Sequence, residues 1–488
     1  MTVKNSFLLF TMACLLSFAA FSRAAEGAPR GVTGSAATEP SSSGESGSGP
    51  EAFPVPSGVS GETAAPLVYE PGTVPAGQLT EVERICRGKV CLAKYSNGHW
   101  QLFVDGRPFF IRGMEYSPDR TGICPKRPNE WMRSDINRNE KIDGPYDSFI
   151  DANLNNKRDP DEKVVGDFRL LNEMGCNVIR IYHPTNVNKQ LLRELYANYG
   201  IYVIMGNFIG AYTVGSGAEW KHGTDYTDRK QKKIIKAEVE KMIKDFKDEP
   251  YILLWMLGNE NDIIGSYENS TFNNTNARGN PEAYASLVGE LCTMIKAMDP
   301  NHPVGVCNGG YSLMPYYKKL APSIDIIGMN SYDGAYGFGV LWERVKRDFD
   351  RPVLITEYGC DCYNLKKKEI DEDFQALYHK RAWLDIEKNS FGREGAGNSL
   401  GGVVFCFLDK WWPCGRPDVH DTVIGAWEGP TNDGTFQDEW MGMFGQGDGT
   451  GSPFVRQPRK VYYLYRNELW AKESQRHNAD PAGAGQGN

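Results

Sequence analysis

The sequence predicts an α/β fold: a single (β/α)8 TIM barrel with an N-terminal β-hairpin and long loops at its C-terminal face. Eight short apolar runs alternate with helical patterns along most of the chain. The runs carry few charges, as strands that are covered on both faces do. The fourth and seventh runs end in a glutamate, and barrels of this kind carry their polar sites at the carboxyl ends of the strands.

The predicted elements follow the chain in order. An Asp105-Gly106 pair between two alternating apolar runs predicts a hairpin ahead of the barrel. The predicted strands cover residues 109–114, 177–182, 201–205, 252–257, 303–307, 324–329, 352–356 and 402–407. The helical patterns between them include residues 190–199, 229–247, 281–298, 339–349 and 371–388. Residues 115–165 and 409–457 are predicted to be long loops that shape a cleft.

The two ends of the chain differ in composition from its middle. Residues 1–24 are predicted to be a signal peptide, because Lys4 precedes an apolar run that ends in small residues. Residues 25–80 and 473–488 are rich in small and polar residues and are predicted to be a disordered linker and tail. Residues 81–472 remain for the barrel domain. We expect a secreted protein, extracellular, periplasmic or at the cell surface, with no membrane span after signal removal.

Charge disfavours one class of partner. The formal net charge of -8 and the pI near 5.6 would repel the phosphates of a nucleic acid. Neutral polymers such as polysaccharides are compatible with this charge. Aromatic residues make up 12% of the chain and supply rings on which sugars stack, although most aromatic residues fill cores. We expect no organic cofactor and a monomer.

The cysteines are compatible with an exported protein. Eleven are present, and one of them lies in the predicted signal peptide, so an even number remains for disulfides. Cys86 and Cys91 are close enough to close a small loop. Cys176, Cys292 and Cys307 lie in apolar surroundings that are typical of free, buried cysteines.

Two glutamates at strand ends are the candidate catalytic residues. Glu260 follows the fourth apolar run with Asn259 directly before it, and Glu357 ends the seventh run. A carboxylate at the end of an apolar strand is costly unless the strand opens into a wet cleft. A retaining glycoside hydrolase uses two such carboxylates about 5 Å apart, one as acid/base and one as nucleophile. The alternative is a pair of unrelated surface carboxylates.

The order of these motifs resembles clan A of the glycoside hydrolases, in which an Asn-Glu pair ends strand four and the nucleophile ends strand seven. The resemblance implies that Glu260 is the general acid/base, Glu357 the nucleophile and Asn259 a ligand of the sugar 2-hydroxyl. It also implies that Arg180 keeps the nucleophile ionised and that the Tyr332 hydroxyl hydrogen-bonds it. The residues alone leave open a structural ion pair for Arg180 and a core phenol for Tyr332.

Three further residues are candidate sugar contacts. His183 follows the second predicted strand, where a satisfied structural histidine is an equal alternative. Trp411 and Trp412 follow the eighth strand, where members of the clan often place an indole under the sugar ring. Neighbouring residues of an extended chain point in opposite directions, so one of the two is expected to pack inward. Trp411 is the preferred sugar floor.

Features of two families within the clan are present. A likeness to the family 72 β-1,3-glucanosyltransferases is carried by residues 111–118, 177–182, 200–203 and 356–360. A likeness to the family 2 barrel domain is carried by residues 438–444 and 458–463. Residues 26–97 cannot hold the sandwich domains that usually precede a family 2 barrel. The expected substrate is a β-linked glycan, with β-glucan as the first expectation.

The first long loop contains a candidate calcium site. Oxygen-bearing side chains recur with the spacing of an EF-hand loop, whose seventh position contributes a backbone carbonyl. These positions are occupied by Asp151, Asn153, Asn155, Lys157, Asp159 and Glu162. A related stretch begins at Asp135. The ion would be structural; the alternative is a solvated acidic loop without metal.

Taken together, these features predict a secreted retaining β-glycosidase that hydrolyses β-linked glycans by double displacement. One alternative is a transglycosylase that uses the same two glutamates and a sugar acceptor in place of water. The sequence does not separate these two, because the difference lies in acceptor binding and water exclusion. Another alternative is a non-catalytic glycan-binding protein on a barrel scaffold, against which the intact pair Glu260 and Glu357 argues.

Overall fold

The computed structural model describes residues 79–263, 273–413 and 415–471, with Cys86 and Arg87 described by their backbone alone. The predicted signal peptide, nearly all of the predicted linker and the predicted tail lie outside these residues. Within the described residues no helix is long and apolar enough to cross a membrane.

Eight parallel strands close into a barrel in chain order, which confirms the predicted fold class. The strands are β1 Ile111–Glu115, β2 Val178–Ile181, β3 Tyr202–Asn207, β4 Ile252–Leu257, β5 Val304–Asn308, β6 Ile326–Asn330, β7 Val353–Tyr358 and β8 Ser399–Val404. Every residue of β2 to β8 is buried, as expected for strands with side chains in the barrel on one face and helices on the other. The fourth strand has the predicted bounds, and β8 starts and ends three residues earlier than predicted.

A helix follows each strand. The helices are α1 Asp167–Glu173, α2 Lys189–Tyr199, α3 Arg229–Phe246, α4 Pro281–Met298, α5 Met314–Leu320, α6 Leu341–Asp348, α7 Glu372–Lys388 and α8 Lys460–Leu464. Side-chain caps begin three of them: the Asn188, Asp228 and Asp371 side chains accept hydrogen bonds from backbone N–H groups of the first turn. The predicted starts of α2, α3 and α7 lie within one residue of the observed ones.

An antiparallel sheet of four strands precedes the barrel, where the sequence predicted one hairpin. Its strands are Glu81–Arg87, Val90–Tyr95, Trp100–Val104 and Arg107–Pro108. The predicted turn is present, and both Asp105 (φ 49°) and Gly106 (φ 75°) have the positive φ that a tight hairpin turn needs. The buried side chains of this front sheet pack against the first residues of the barrel strands and close the base of the barrel.

The long loop between β8 and α8 contains two small sheets. One is a hairpin of strands Ala426–Glu428 and Thr435–Gln437, called the loop hairpin below. The other joins Phe444–Gly445 and Val455–Pro458 to Phe149–Ile150, so it ties the two long loops together.

The cysteines agree with the predictions that the structure can test. Cys91 is disulfide-bonded, and its backbone lies opposite the backbone of Cys86 in the ladder of the front sheet. Cys176, Cys292 and Cys307 are free and buried.

Candidate active site

The two predicted glutamates stand at the carboxyl ends of β4 and β7. Glu357 is the fifth residue of β7, and Glu260 follows β4 after a turn in which Gly258 has a φ of 75°. Glu260 itself has a φ of 53°, a left-handed conformation that is uncommon for a residue with a Cβ atom. Such strained conformations cluster at functional sites.

Three donors surround the Glu357 carboxylate. Its Oε1 accepts hydrogen bonds from Arg180 Nη1 at 3.0 Å and from the Tyr182 hydroxyl at 2.7 Å. Its Oε2 accepts from the Tyr332 hydroxyl at 2.8 Å. The arginine side chain is 1% exposed and the glutamate side chain 8%, so the ion pair is shielded from water. Three donors, one of them charged, hold this carboxylate in one orientation.

Asn330 at the end of β6 links the two glutamates. Its Nδ2 donates to Glu260 Oε1 at 2.9 Å, and its Oδ1 accepts from Arg180 Nη1 at 3.3 Å. The same arginine donates from Nη2 to Asn259 Oδ1 at 2.9 Å. The two carboxyl groups therefore belong to one hydrogen-bonded network across the mouth of the barrel.

The environment of Glu260 favours its protonated form. Burial raises the pKa of Glu260 well above its ordinary value, and the nearby charge of Glu357 raises it further. The hydrogen bond from Asn330 opposes this shift without cancelling it. A protonated Glu260 could supply a proton, which is what acid-assisted displacement requires of one carboxyl group.

Aromatic rings extend the site beyond Tyr332. The Tyr332 ring makes edge contacts with Phe405, Trp427 and Phe436, whose centroids lie 6.4, 5.2 and 5.8 Å away. Phe405 directly follows β8, and the other two rings belong to the loop hairpin. One wall of the site is therefore built from the β8–α8 loop.

His183 and the two predicted tryptophans lie among other partners. His183 is buried, its ring stacks on Phe208 at 5.4 Å, and burial lowers its pKa to about 4. Trp411 is 6% exposed and stacks on His420, so little of its surface is open to a sugar. Trp412 donates from its indole nitrogen to Asp119 Oδ2 at 3.0 Å. None of these contacts joins them to the network of Glu260 and Glu357.

Sequence reasoning missed Tyr182 and Asn330. Tyr182 is two residues after Arg180, and alternate residues of a strand share a side, so this spacing was a usable signal. Asn330 is a polar residue that ends an apolar strand, the same signal that identified the glutamates. The Cys307 thiol also lies in the network, 3.2 Å from Asn330 Oδ1.

The structure gathers the residues of the candidate calcium loop into one hydrogen-bonded turn. The Asp151 carboxylate accepts from the backbone N–H groups of Asn155 at 3.1 Å and Asn156 at 2.9 Å. The side-chain Nδ2 atoms of Asn153 and Asn155 both donate to Asp159 Oδ2. Glu162 accepts from the N–H groups of Ala152 and Asp159, and Lys157 donates its N–H to Asn155 Oδ1. No group of three His, Cys, Asp or Glu residues that could hold a metal is found among the residues that the structure describes.

Comparison with known families gives a match to one family model. The model described as "Glycosyl hydrolases family 2, TIM barrel domain" matches residues 151–383, which run from the first long loop into α7 and include both glutamates.

Curated relatives and solved structures that are similar to this chain are named as enzymes that act on glycans or glycosides. A 1,3-beta-glucanosyltransferase of Saccharomyces cerevisiae is 23% identical over 61% of this chain and 57% of its own length. A mannan endo-1,4-beta-mannosidase of Aspergillus clavatus is 27% identical over 33% of this chain and 38% of its own length. The chain thus spans about half the length of these relatives or less. The solved β-D-glucuronidase of Dictyoglomus thermophilum superposes with a TM-score of 0.47 at 16% identity, covering 80% of this chain and 54% of that one. The family model, the curated relatives and the closed eight-stranded barrel support a (β/α)8 barrel of the glycoside hydrolase clan A type.

Proposed function

We propose that this protein is a secreted retaining β-glycosidase that hydrolyses β-linked glycans by double displacement. The observation that carries the proposal is the unequal treatment of two neighbouring carboxyl groups. Glu357 is held by three donors, whereas Glu260 has a raised pKa and one donor from Asn330. A retaining mechanism needs one ionised carboxylate and one protonated carboxyl at the same bond.

In the first step, Glu357 attacks the anomeric carbon while the bond from that carbon to the leaving oxygen breaks. Glu260 gives its proton to the leaving oxygen, so the first sugar fragment departs neutral. A glycosyl ester of Glu357 remains and carries no negative charge. Since that charge helped to raise the pKa of Glu260, forming the ester lowers the pKa again.

In the second step, the same change turns Glu260 into a base. Ionised Glu260 takes a proton from water, the water oxygen attacks the anomeric carbon, and the ester bond to Glu357 breaks. Both glutamates return to their starting states, and the product keeps the configuration of the substrate. Replacing water by a sugar hydroxyl would give transglycosylation with the same residues.

The proposed substrate is a β-linked polysaccharide, with β-glucan first. One relative is named for 1,3-β-glucan and another for 1,4-β-mannan, so both polymers belong in the first tests. Secretion follows from the predicted signal peptide.

A product assay tests the proposal. The protein without its predicted signal peptide is incubated with β-1,3-, β-1,4- and β-1,6-glucans, mannans and galactans, beside the Glu357→Ala variant, and product lengths are resolved. Shorter products from the wild type alone, with retained anomeric configuration by NMR, are expected. Products longer than the substrate identify the transglycosylase. Binding without turnover on any glycan would contradict the enzyme and identify the glycan-binding protein.

A further inference from the structure

The loop hairpin presents an exposed indole beside the proposed catalytic centre. Trp427 is 38% exposed, whereas Phe436, opposite it in the hairpin, is fully buried. The two rings stack with centroids 4.3 Å apart at an angle of 28°. One face of the indole is thus supported by protein, and the ring still exposes a large apolar surface.

The position of this indole relative to the nucleophile is set by Tyr332. The Tyr332 hydroxyl donates to Glu357 Oε2, and the Tyr332 ring contacts the edge of Trp427 at 5.2 Å. The side chain of Tyr332 therefore lies between Trp427 and the carboxylate that would attack the sugar, and it contacts both. A sugar seated on Glu357 and Glu260 has Tyr332 beside it, and the next sugar of the chain comes within reach of the indole.

The loop hairpin is held in place, so the indole is preorganised. The Gly429 N–H donates to the Gly434 carbonyl at 3.2 Å, and the Thr431 hydroxyl donates to Asp433 Oδ1 at 2.8 Å. The other oxygen of Asp433 accepts the N–H of Leu365 at 2.6 Å, which fastens the hairpin to the loop after β7. A fixed aromatic surface binds a ligand without paying the entropy of ordering a loop.

The residue after the hairpin, Asp438, is acidic. Asp438 directly follows Gln437, and no hydrogen bond to its carboxyl group occurs among the described residues. Burial raises the pKa of Asp438 to about 6, the ammonium of Lys410 opposes that shift, and the charge of Glu357 adds to it.

We propose that Trp427 is the stacking surface of a second sugar subsite, which makes the substrate an oligosaccharide or polysaccharide rather than a single-sugar glycoside. The apolar face of a pyranose ring covers aromatic surface that is otherwise exposed to water. This inference rests on the proposed glycosidase function, because it assigns the reacting sugar to Glu260 and Glu357.

Kinetics with substrates of two lengths test the inference. Trp427→Ala, Trp427→Phe and the control Tyr463→Ala are assayed on the β-linked hexasaccharide that the wild type cleaves best and on the aryl glycoside of the same sugar. Tyr463 is 41% exposed and belongs to α8 on the outside of the barrel, so it matches the exposure of Trp427. Trp427→Ala is expected to raise KM for the hexasaccharide by about tenfold and to change KM for the aryl glycoside by less than about twofold. Trp427→Phe retains most of the wild-type affinity, and Tyr463→Ala behaves as wild type.

Unchanged hexasaccharide kinetics in Trp427→Ala would overturn the inference. Equal losses of activity on both substrates would also overturn the inference, because they would mean that the indole contacts the reacting sugar or is needed for folding. Thermal unfolding of each variant separates the folding effect.

Binding separates this inference from the proposed function. Calorimetric titration of cello-, laminari- and mannohexaose into Glu357→Ala, with and without Trp427→Ala, requires no turnover. A tenfold weaker affinity in the double variant supports the subsite even if the wild type cleaves nothing, in which case only the proposed function fails. Turnover by the wild type with equal affinities overturns the subsite alone, and no binding and no cleavage of any hexasaccharide overturns both.

Discussion

At the residue scale, the two glutamates differ in what surrounds their carboxyl groups. Glu357 accepts from an arginine and two tyrosines, whereas Glu260 accepts from the neutral amide of Asn330. Charged and multiple donors favour an ionised carboxylate, and burial with little compensation favours a protonated one. The difference in environment supports the proposed roles without reference to chain order.

The pH dependence of activity follows from Glu260. The raised pKa of Glu260 keeps its carboxyl group protonated through neutral pH. Activity is therefore expected to fall as the pH rises through the pKa of Glu260. A pH profile of kcat/KM measures this alkaline limb. Glu260→Gln cannot ionise, so its residual activity on an aryl glycoside with a good leaving group should lack the limb. The same limb in the variant would assign it to another group.

Burial of the Glu260 carboxyl group is also expected to lower the stability of the folded protein at high pH. The Glu260 carboxyl ionises more readily in the unfolded chain than in the folded one, so its contribution to stability is present at low pH and is lost as the pH rises. Glu260→Gln is therefore expected to raise the thermal midpoint by a few degrees at about pH 8 and to leave it unchanged at about pH 4. Equal midpoints at both pH values would show that folding does not perturb this group.

The tyrosine hydroxyls around Glu357 should contribute to catalysis individually. Tyr332→Phe and Tyr182→Phe each remove one hydrogen bond to a buried carboxylate, so kcat/KM is expected to fall by about tenfold to a hundredfold in each. Tyr116→Phe is the matched control, because it removes a 2.9 Å hydrogen bond to the buried Asp167 carboxylate elsewhere in the fold. A comparable loss in the control would mean that the effect is structural.

At the element scale, the front sheet is expected to be essential for stability. Trp100 is fully buried where this sheet closes the base of the barrel, so Trp100→Ala should lower the free energy of unfolding by about 3–5 kcal/mol. Denaturant titration measures the loss. Tyr463→Ala, on the outer helix α8, should cost far less. A small effect in Trp100→Ala would show that the sheet can shift to fill the cavity.

The first long loop remains a proposed calcium site. We expect calcium to raise the thermal midpoint of the wild type and EGTA to reverse the rise, because an ion that binds only the folded loop stabilises it. Asp151→Asn should abolish the response, since Asp151 is buried at the first position of the loop. Exposed Glu394→Gln, on another loop, is the control. An unchanged thermal midpoint of the wild type at millimolar calcium would show that the loop binds no calcium.

At the scale of the whole molecule, the barrel was predictable because each strand carries its own apolar signal. Glu260, Glu357, Arg180 and Tyr332 could be placed for the same reason: each lies at or near a strand end. The three shortest helices, α1, α5 and α8, were not identified individually, since five to seven residues give a weak helical pattern.

The structure of the long loops could not be predicted from local sequence patterns. The sheet that joins residues 149–150 to 455–458 pairs short strands about 300 residues apart, for which no local pattern exists. Trp411 shows the consequence: β8 ends at Val404, and the partner that covers the indole, His420, belongs to the same long loop. A ring that the sequence assigned to the sugar is buried in the protein.

The ends of the described chain have a consequence for how this protein can be attached to a support. The front sheet, which begins at Glu81, covers the base of the barrel. Trp470 meets the same base, where its carbonyl oxygen approaches Gly175, ahead of β2, so closely that a Cβ atom there would lie 2.2 Å from it. Both attachment points are therefore opposite the glutamates. A support attached directly at Glu81 or Trp470 would lie on the side of the molecule away from the cleft.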